Sequence, residues 1–205
     1  MENKTIITIS RQFGSGGREI GKKLAEELGI PFYDKELIEL AAKESGIDAE
    51  LFEDEEYRTS RGFYLLGAIG FTLGSPFTSI SEMSLNDRLF LVQSETIENI
   101  AEQGSCVIVG RCADYVLADQ EPISIFIHAD MKDRMERAIH SYEVDERNIE
   151  NSISKIDKRR ANYYNYYTDR KWGGADNYDI ALNSSKFGVE GSVAILKSII
   201  EKRKL

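Results

Sequence analysis

The sequence predicts an α/β fold, with a parallel β-sheet covered on both faces by helices. Three observations carry this. Short runs rich in β-branched residues, at 6–9, 106–109 and 123–128, read as buried strands. Helical patterns separate them. The first two runs each lead into a turn that combines glycine with arginine, as though two strands delivered the same chemistry to one edge of a sheet.

The elements follow in order. Ile6-Ile7-Thr8-Ile9 is a strand, and residues 11–17, Arg-Gln-Phe-Gly-Ser-Gly-Gly, are a turn. A helix starts at once with Ile20, Leu24 and Leu28 on one face, and Gly29 stops it. After Ile30-Pro-Phe-Tyr-Asp34 a helix is expected over about 35–45. Residues 60–82 are rich in Gly, Phe, Leu and Ser without a clear period and read as loop. Ser84 and Asp87 form a capping-box-like start for a helix buried through Leu89, Val92, Thr96, Ile97 and Ile100, with Gly104 at its end. The strand at 106–109 meets Gly110-Arg111, and the strand at 123–128 meets Asp130, which caps a helix to about residue 140. A tyrosine-rich helix or hairpin is expected over about 146–171, a last strand over 178–182 and a last helix from Val189 to about 202.

Composition narrows the function. The 205 residues are enough for one large domain or one domain with a small mobile insert. Twenty-six Lys and Arg against thirty-five Asp and Glu leave a net charge of −9, a surface that repels bulk nucleic acid and anionic membrane. Cys106 and Cys112 belong to no CxxC pair, so neither a disulfide framework nor a cysteine zinc site is expected. The longest apolar stretch, residues 63–73, is broken by Gly67 and Gly70 and falls short of the roughly 18 residues a membrane span needs. A cytoplasmic protein is expected. His128 and His140 lack any triad or metal-ligand pattern and read as structural. The acidic run Glu53-Asp-Glu-Glu56 reads as a solvated helix face.

Strand, glycine turn and helix together make a phosphate cradle. Backbone N–H groups and the helix dipole favour an anion, and Gly14, Gly16 and Gly17 permit a close approach. The side chains depart from the GxxxxGK[ST] loop: Gly17 stands at the lysine position, and no Ser or Thr follows it, with Arg18 next and Glu19 after that. A literal GxxxxGK from Gly16 to Lys22 starts too far from the strand to serve. Arg18 is the nearest cation, and Arg11 is another. The competing reading is a turn that uses glycine for packing alone.

Arg111 repeats the strand–glycine–arginine placement and would lie beside the first turn, where ligands of parallel sheets bind. Its guanidinium suits a phosphate; pairing to a surface carboxylate is the plainer alternative. Residues 147–171 hold seven bases and three acids, +4 inside a chain whose remainder is −13. Arginines there read as a lid that closes over nucleotide phosphates and excludes water. Tyrosine packing of a helix pair and single-strand nucleic-acid binding are the rivals, and the global charge opposes the second.

Four segments together resemble the cytidylate kinase-like family of P-loop nucleoside monophosphate kinase relatives. They are residues 7–21, residues 31–34 (Pro-Phe-Tyr-Asp), residues 107–111 (Val-Ile-Val-Gly-Arg), and residues 172–179 followed by Asn183-Ser-Ser185. The resemblance implies a three-layer P-loop kinase fold with a core at about 1–34, 84–145 and 173–205, a helical acceptor-binding insert at about 35–83 and a lid at about 146–172. It implies ATP as donor, Mg²⁺, and CMP or dCMP as acceptor. Arg111 falls where such kinases hold the acceptor phosphate, and Asp34 falls near the turn that touches the acceptor nucleoside. Arg159, Arg160 and Arg170 fall in the lid. Cytidylate kinases carry lysine and threonine where this chain has Gly17 and Glu19, and aspartates where it has Val109 and Cys112.

The expectation is therefore ATP-dependent phosphoryl transfer to a small acceptor. Residues 14–18 (with Gly14, Ser15, Gly16 and Gly17), Arg11 and Glu19 would hold ATP, and Arg18 would replace the lysine. Arg111 and Asp34 would hold the acceptor, and Arg159, Arg160 and Arg170 would neutralise the transferring group. The metal ligand stays open between Glu19 and Ser10, and the oligomeric state is open. A nucleotide-binding protein without activity and a kinase of another small metabolite are the alternatives.

Overall fold

The computed structural model describes residues 4–34, 36–47, 83–142 and 148–203. The expected loop at 60–82, the acidic run at 53–56 and most of the expected insert lie outside these residues. The described elements are β1 (Ile6–Arg11), α1 (Gly17–Leu28), β2 (Phe32–Tyr33), α2 (Glu36–Ser45), α3 (Leu85–Gln103), β3 (Cys106–Val109) and α4 (Ala113–Val116). Then come β4 (Ile123–His128), α5 (Met131–Tyr142), α6 (Ile149–Thr168), β5 (Ile180–Asn183) and α7 (Ser184–Arg203). Single 3₁₀ turns at Ala118–Gln120 and Ala175–Asn177 join them.

The strands form one five-stranded sheet in the order β2-β3-β1-β4-β5, parallel at every pairing. β1 lies at its centre. Ile7 and Ile9 point to one face and pack with Ile20 and Leu24 of α1 and with Val193, Leu196 and Ile200 of α7. Ile6 points to the other face, among Leu37 of α2, Ile97 and Ile100 of α3, and Leu117. Each fully buried aliphatic side chain contributes about 1.5–3 kcal/mol. The three-layer α/β class is thus present, built from the near-continuous apolar strands that two covered faces require.

Several boundaries move for local reasons. β1 continues through Ser10 and Arg11, because both pair with β4, at Phe126 and Ile127. Arg11 is therefore the last strand residue, and Gly17 is the first residue of α1. Residues 30–34 contribute a two-residue edge strand, Phe32 and Tyr33, held by β3. The last strand starts at Ile180 and runs to Asn183, where β4 stops pairing. Gly188 breaks α7 at φ 64°, so its regular helix begins at Val189 as expected. Residues 149–168 are a single helix and no hairpin. The Ser84 side chain accepts from the Asp87 N–H at 3.2 Å and donates to its carboxylate at 2.7 Å, the capping arrangement expected. Both cysteines are buried thiols, and burial pushes Cys106 up to about 11.

Candidate functional site: two turns and a three-arginine cavity

The glycine turn begins where β1 ends. Gly14 and Gly16 adopt left-handed backbone at φ 75° and 78°, which side chains disfavour, and Gly16 caps α1 without any side-chain hydrogen bond. The Ser15 N–H donates to Gln12 O at 3.2 Å and tightens the turn. Three consecutive carbonyls are then taken by other elements. Arg134 Nε donates to Phe13 O at 2.8 Å, Arg137 Nη1 to Gly14 O at 2.6 Å, and the Ser184 hydroxyl to Ser15 O at 2.6 Å. Arg134 is itself paired with Asp157, whose other oxygen accepts from the Phe13 N–H at 2.8 Å. α5 also closes on Gly14 so tightly that a Cβ there would lie 2.5 Å from the Arg134 carbonyl.

Arg134, Arg137 and Asp157 escaped the sequence reading. The available signal was the i,i+3 spacing of the two arginines on the helix that follows β4. A charged residue in a helix ordinarily reads as exposed, whereas the Arg134 side chain is only 5% exposed.

The second turn follows β3. Gly110, Arg111 and Cys112 are three consecutive left-handed residues, at φ 77°, 57° and 55°. For the two that carry side chains this costs about 1–2 kcal/mol each. The turn is pinned by Gly110 N–H to Ile9 O at 2.9 Å and Ala113 N–H to Gly110 O at 3.1 Å. Beneath it Asp114 is buried and accepts from the Tyr164 hydroxyl of α6 at 2.7 Å. Burial raises the Asp114 carboxyl above its ordinary value, and the Tyr164 bond pulls it partly back. Burial, with the Asp114 charge adding to it, holds the Tyr164 phenol well above the usual range, and burial pushes Tyr178 up to about 12.

Between the end of β1 and the second turn lies a cavity lined by Ser10, Arg11, Arg111 and Arg160, with Tyr163, Tyr164 and Trp172 as its aromatic side. Arg160 Nη1 donates to Arg11 O at 3.2 Å, and its guanidinium lies 5.7 Å from the centre of the Phe13 ring. The wall is braced by Phe126, edge-on to Trp172 at 5.2 Å.

The other expected residues fall around this cavity. Asp34 is buried, with Arg11 Nη2 at 3.9 Å and Arg18 Nε hydrogen-bonded to it. The Arg18 side chain is about half exposed and does not line the cavity. Arg159 and Arg170 do not line it either; Arg170 sits 5.4 Å from the Tyr115 ring. Glu19 is exposed with Lys23 Nζ at 3.5 Å, and Lys23 also bonds Glu190 of α7. Among the described residues no three His, Cys, Asp or Glu side chains cluster as a metal cage, and no helix is long and apolar enough to cross a membrane.

A parallel sheet with helices on both faces, and a glycine turn opening its first helix, define a P-loop-kinase type of α/β protein. Solved structures agree on the fold. Shikimate kinase from Acinetobacter baumannii, bound to shikimate, has a TM-score of 0.56 at 14% identity, over 100% of this chain and 97% of that one. An uncharacterized protein from Eubacterium ventriosum has a TM-score of 0.71 at 31% identity, over 98% of this chain and 100% of that one. The model of the cytidylate kinase-like family matches residues 6–186, and the chain belongs to that family. Cytidylate kinase from Pyrococcus horikoshii is 28% identical over 211 residues, covering 98% of this chain and 90% of that protein.

Proposed function

We propose that this protein transfers the γ-phosphoryl group of ATP to a small acceptor, most simply a nucleoside monophosphate such as CMP or dCMP. The observation that carries the reading is the convergence of Arg11, Arg111 and Arg160 on one cavity beside the glycine turn. Three guanidiniums facing one space favour a ligand of several negative charges.

In this reading the N–H groups of Gly14, Gly16 and Arg18 hold the donor phosphates; those of Ser15 and Gly17 already donate to Gln12 O and Ser15 Oγ, and the carbonyls of residues 13–15 are committed to α5 and α7. Arg111 grips the acceptor phosphate. Arg160, on the lid helix, neutralises charge on the transferring group. Arg18 and Asp34 brace Arg11 from outside, and Glu19 stays with Lys23 at the helix surface. An acceptor phosphate oxygen forms a bond to the γ-phosphorus as the bond to the β–γ bridging oxygen breaks, and ADP leaves with that electron pair. With a dianionic acceptor no proton need move. The aromatic wall excludes water and offers faces for a base to stack on.

Mg²⁺ would arrive with the nucleotide, and Ser10, which lines the cavity, is the protein group that would hold it there. The ion would supply charge neutralisation across the phosphates.

The test is ADP release from ATP·Mg²⁺ across a panel of nucleoside monophosphates, with Arg111→Ala beside the wild type. Turnover on CMP or dCMP should fall by roughly a hundredfold or more in the variant. ATP binding by calorimetry with no turnover on any acceptor would overturn the reading in favour of a nucleotide-binding protein without activity. Turnover confined to other small metabolites would move the acceptor.

A further inference from the structure

Aligning the glycine turn with GxxxxGK[ST] so that Gly17 takes the lysine position puts Arg11 at the position of the first glycine. Two departures that look separate in sequence are one event in space. A Cβ on Gly17 would lie 2.6 Å from Arg11 Cβ, 3.1 Å from Arg11 Cγ and 3.2 Å from Ile127 Cβ. Gly17 opens a regular helix and carries no left-handed backbone, so conformational freedom does not account for it. Its missing side chain is what lets Arg11 pass. Further along, a Cβ on Gly110 would lie 2.5 Å from Arg11 Nη1. Two glycines from different turns thus clear a channel for one arginine. At its end the Arg11 guanidinium, on a side chain only 12% exposed, lies 3.9 Å from Asp34 and faces the cavity it shares with Arg111 and Arg160.

We infer that the loop has exchanged its cation across the turn: Arg11 takes the lysine's place at the phosphates, and Gly17 is the vacancy that admits it. This rests on the phosphotransfer reading. A lysine at 17 would reach the phosphates from the helix side. Arg11 reaches them from the strand side and ends over Gly110, in the cavity that Arg111 also lines. Its planar fork is preorganised to hold two oxygens of a phosphate in bidentate fashion, where an ammonium acts as a point charge. Asp34, also bonded to Arg18, fixes the guanidinium from behind.

The consequence is counterintuitive. Restoring the motif with Gly17→Lys should damage the protein, because the new side chain meets Arg11. Making the exchange complete, with Arg11→Gly in the same chain, should repair it. Wild type, Gly17→Lys, Arg11→Gly and the double variant are compared for ATP·Mg²⁺ affinity by calorimetry, for ADP release with the best acceptor, and for thermal unfolding. Gly17→Lys is expected to lose at least tenfold in ATP affinity or turnover, and the double variant to recover at least tenfold over it. Gly17→Lys equal to or better than wild type, or a double variant no better than the worse single, overturns the inference. The phosphotransfer reading is judged on wild-type turnover alone, and the exchange on the ratios between variants, read in ATP affinity if wild type turns over nothing. The steric half has its own readout. Gly17→Ala should lower the unfolding temperature more when Arg11 is present than in the Arg11→Gly background, where only the Ile127 Cβ contact at 3.2 Å remains; equal shifts in both backgrounds would show that no channel exists.

Discussion

The turns after β1 and β3 sit side by side at the carboxyl edge of the sheet and, in the proposed reading, would meet an anion in opposite ways. The glycine turn offers backbone. Its geometry is held from outside, by Arg134, Arg137 and Ser184 on three carbonyls and by Asp157 on the Phe13 N–H. The arginine turn offers a side chain. Its geometry is held by three left-handed residues and by the Gly110 N–H donating to Ile9 O at 2.9 Å. The first turn depends on a buried ion pair for its shape, and the second stores strain to aim one guanidinium. Damage to the first should therefore appear as lost stability and lost ATP binding together, and damage to the second as lost acceptor binding in a fold that survives.

The sharpest way to break that contrast is Asp157→Ala. It removes the partner of a guanidinium whose side chain is 5% exposed and strips the acceptor from the Phe13 N–H. Leaving a buried charge unpaired costs about 3–5 kcal/mol. Chemical denaturation should show a loss of this size, and ATP affinity measured below the new midpoint should fall as well. A variant that keeps wild-type stability would mean that α5 and α6 hold the glycine turn by apolar packing of Phe13, Ala138 and Ile153 alone.

A smaller effect is expected at the other turn. Tyr164→Phe deletes the hydroxyl that reaches Asp114, directly beneath Arg111 and Cys112. An unsatisfied buried acceptor costs about 1–3 kcal/mol. The kinetic signature separates positioning from mere stability: KM for the acceptor should rise while KM for ATP stays put. Equal rises in both would show that α6 supports the two turns as one unit.

The two turns also differ in how much of them could be read from sequence. β3 and β4 are legible to the residue, because each is a short apolar run ended by a turn residue. The Ser84–Asp87 cap is legible because it is local. The glycine turn itself is visible in its three glycines, and the position of Arg111 in its place after a strand. What holds them is not visible. Asp157 reaches Phe13 across 144 positions, and Arg160 reaches the Arg11 carbonyl across 149. The edge strand at Phe32 and Tyr33 is two residues long and exists only because β3 offers it partners. Of the arginines expected in a lid, only the helical phase of α6 places Arg160 at the cavity and leaves Arg159 outside it.

The smallest effect concerns pH and tests the environment beneath the arginine turn. In the folded state burial raises the Asp114 carboxyl above its ordinary 3.8, so the native protein holds this proton where the unfolded chain has released it. Stability contributed by the group is then lost as pH rises from the ordinary carboxylate value through the raised one, and levels off above it. Asn at 114 keeps an acceptor for Tyr164 and does not titrate. The difference in unfolding temperature between Asp114→Asn and wild type should therefore grow in favour of the variant from pH 4 upward and reach a plateau. A difference that moves the other way would mean that the Tyr164 hydrogen bond and the Arg170 charge outweigh burial. Asp114 would then serve as a true counter-ion in the fold, and the arginine turn would rest on an electrostatic anchor as the glycine turn does.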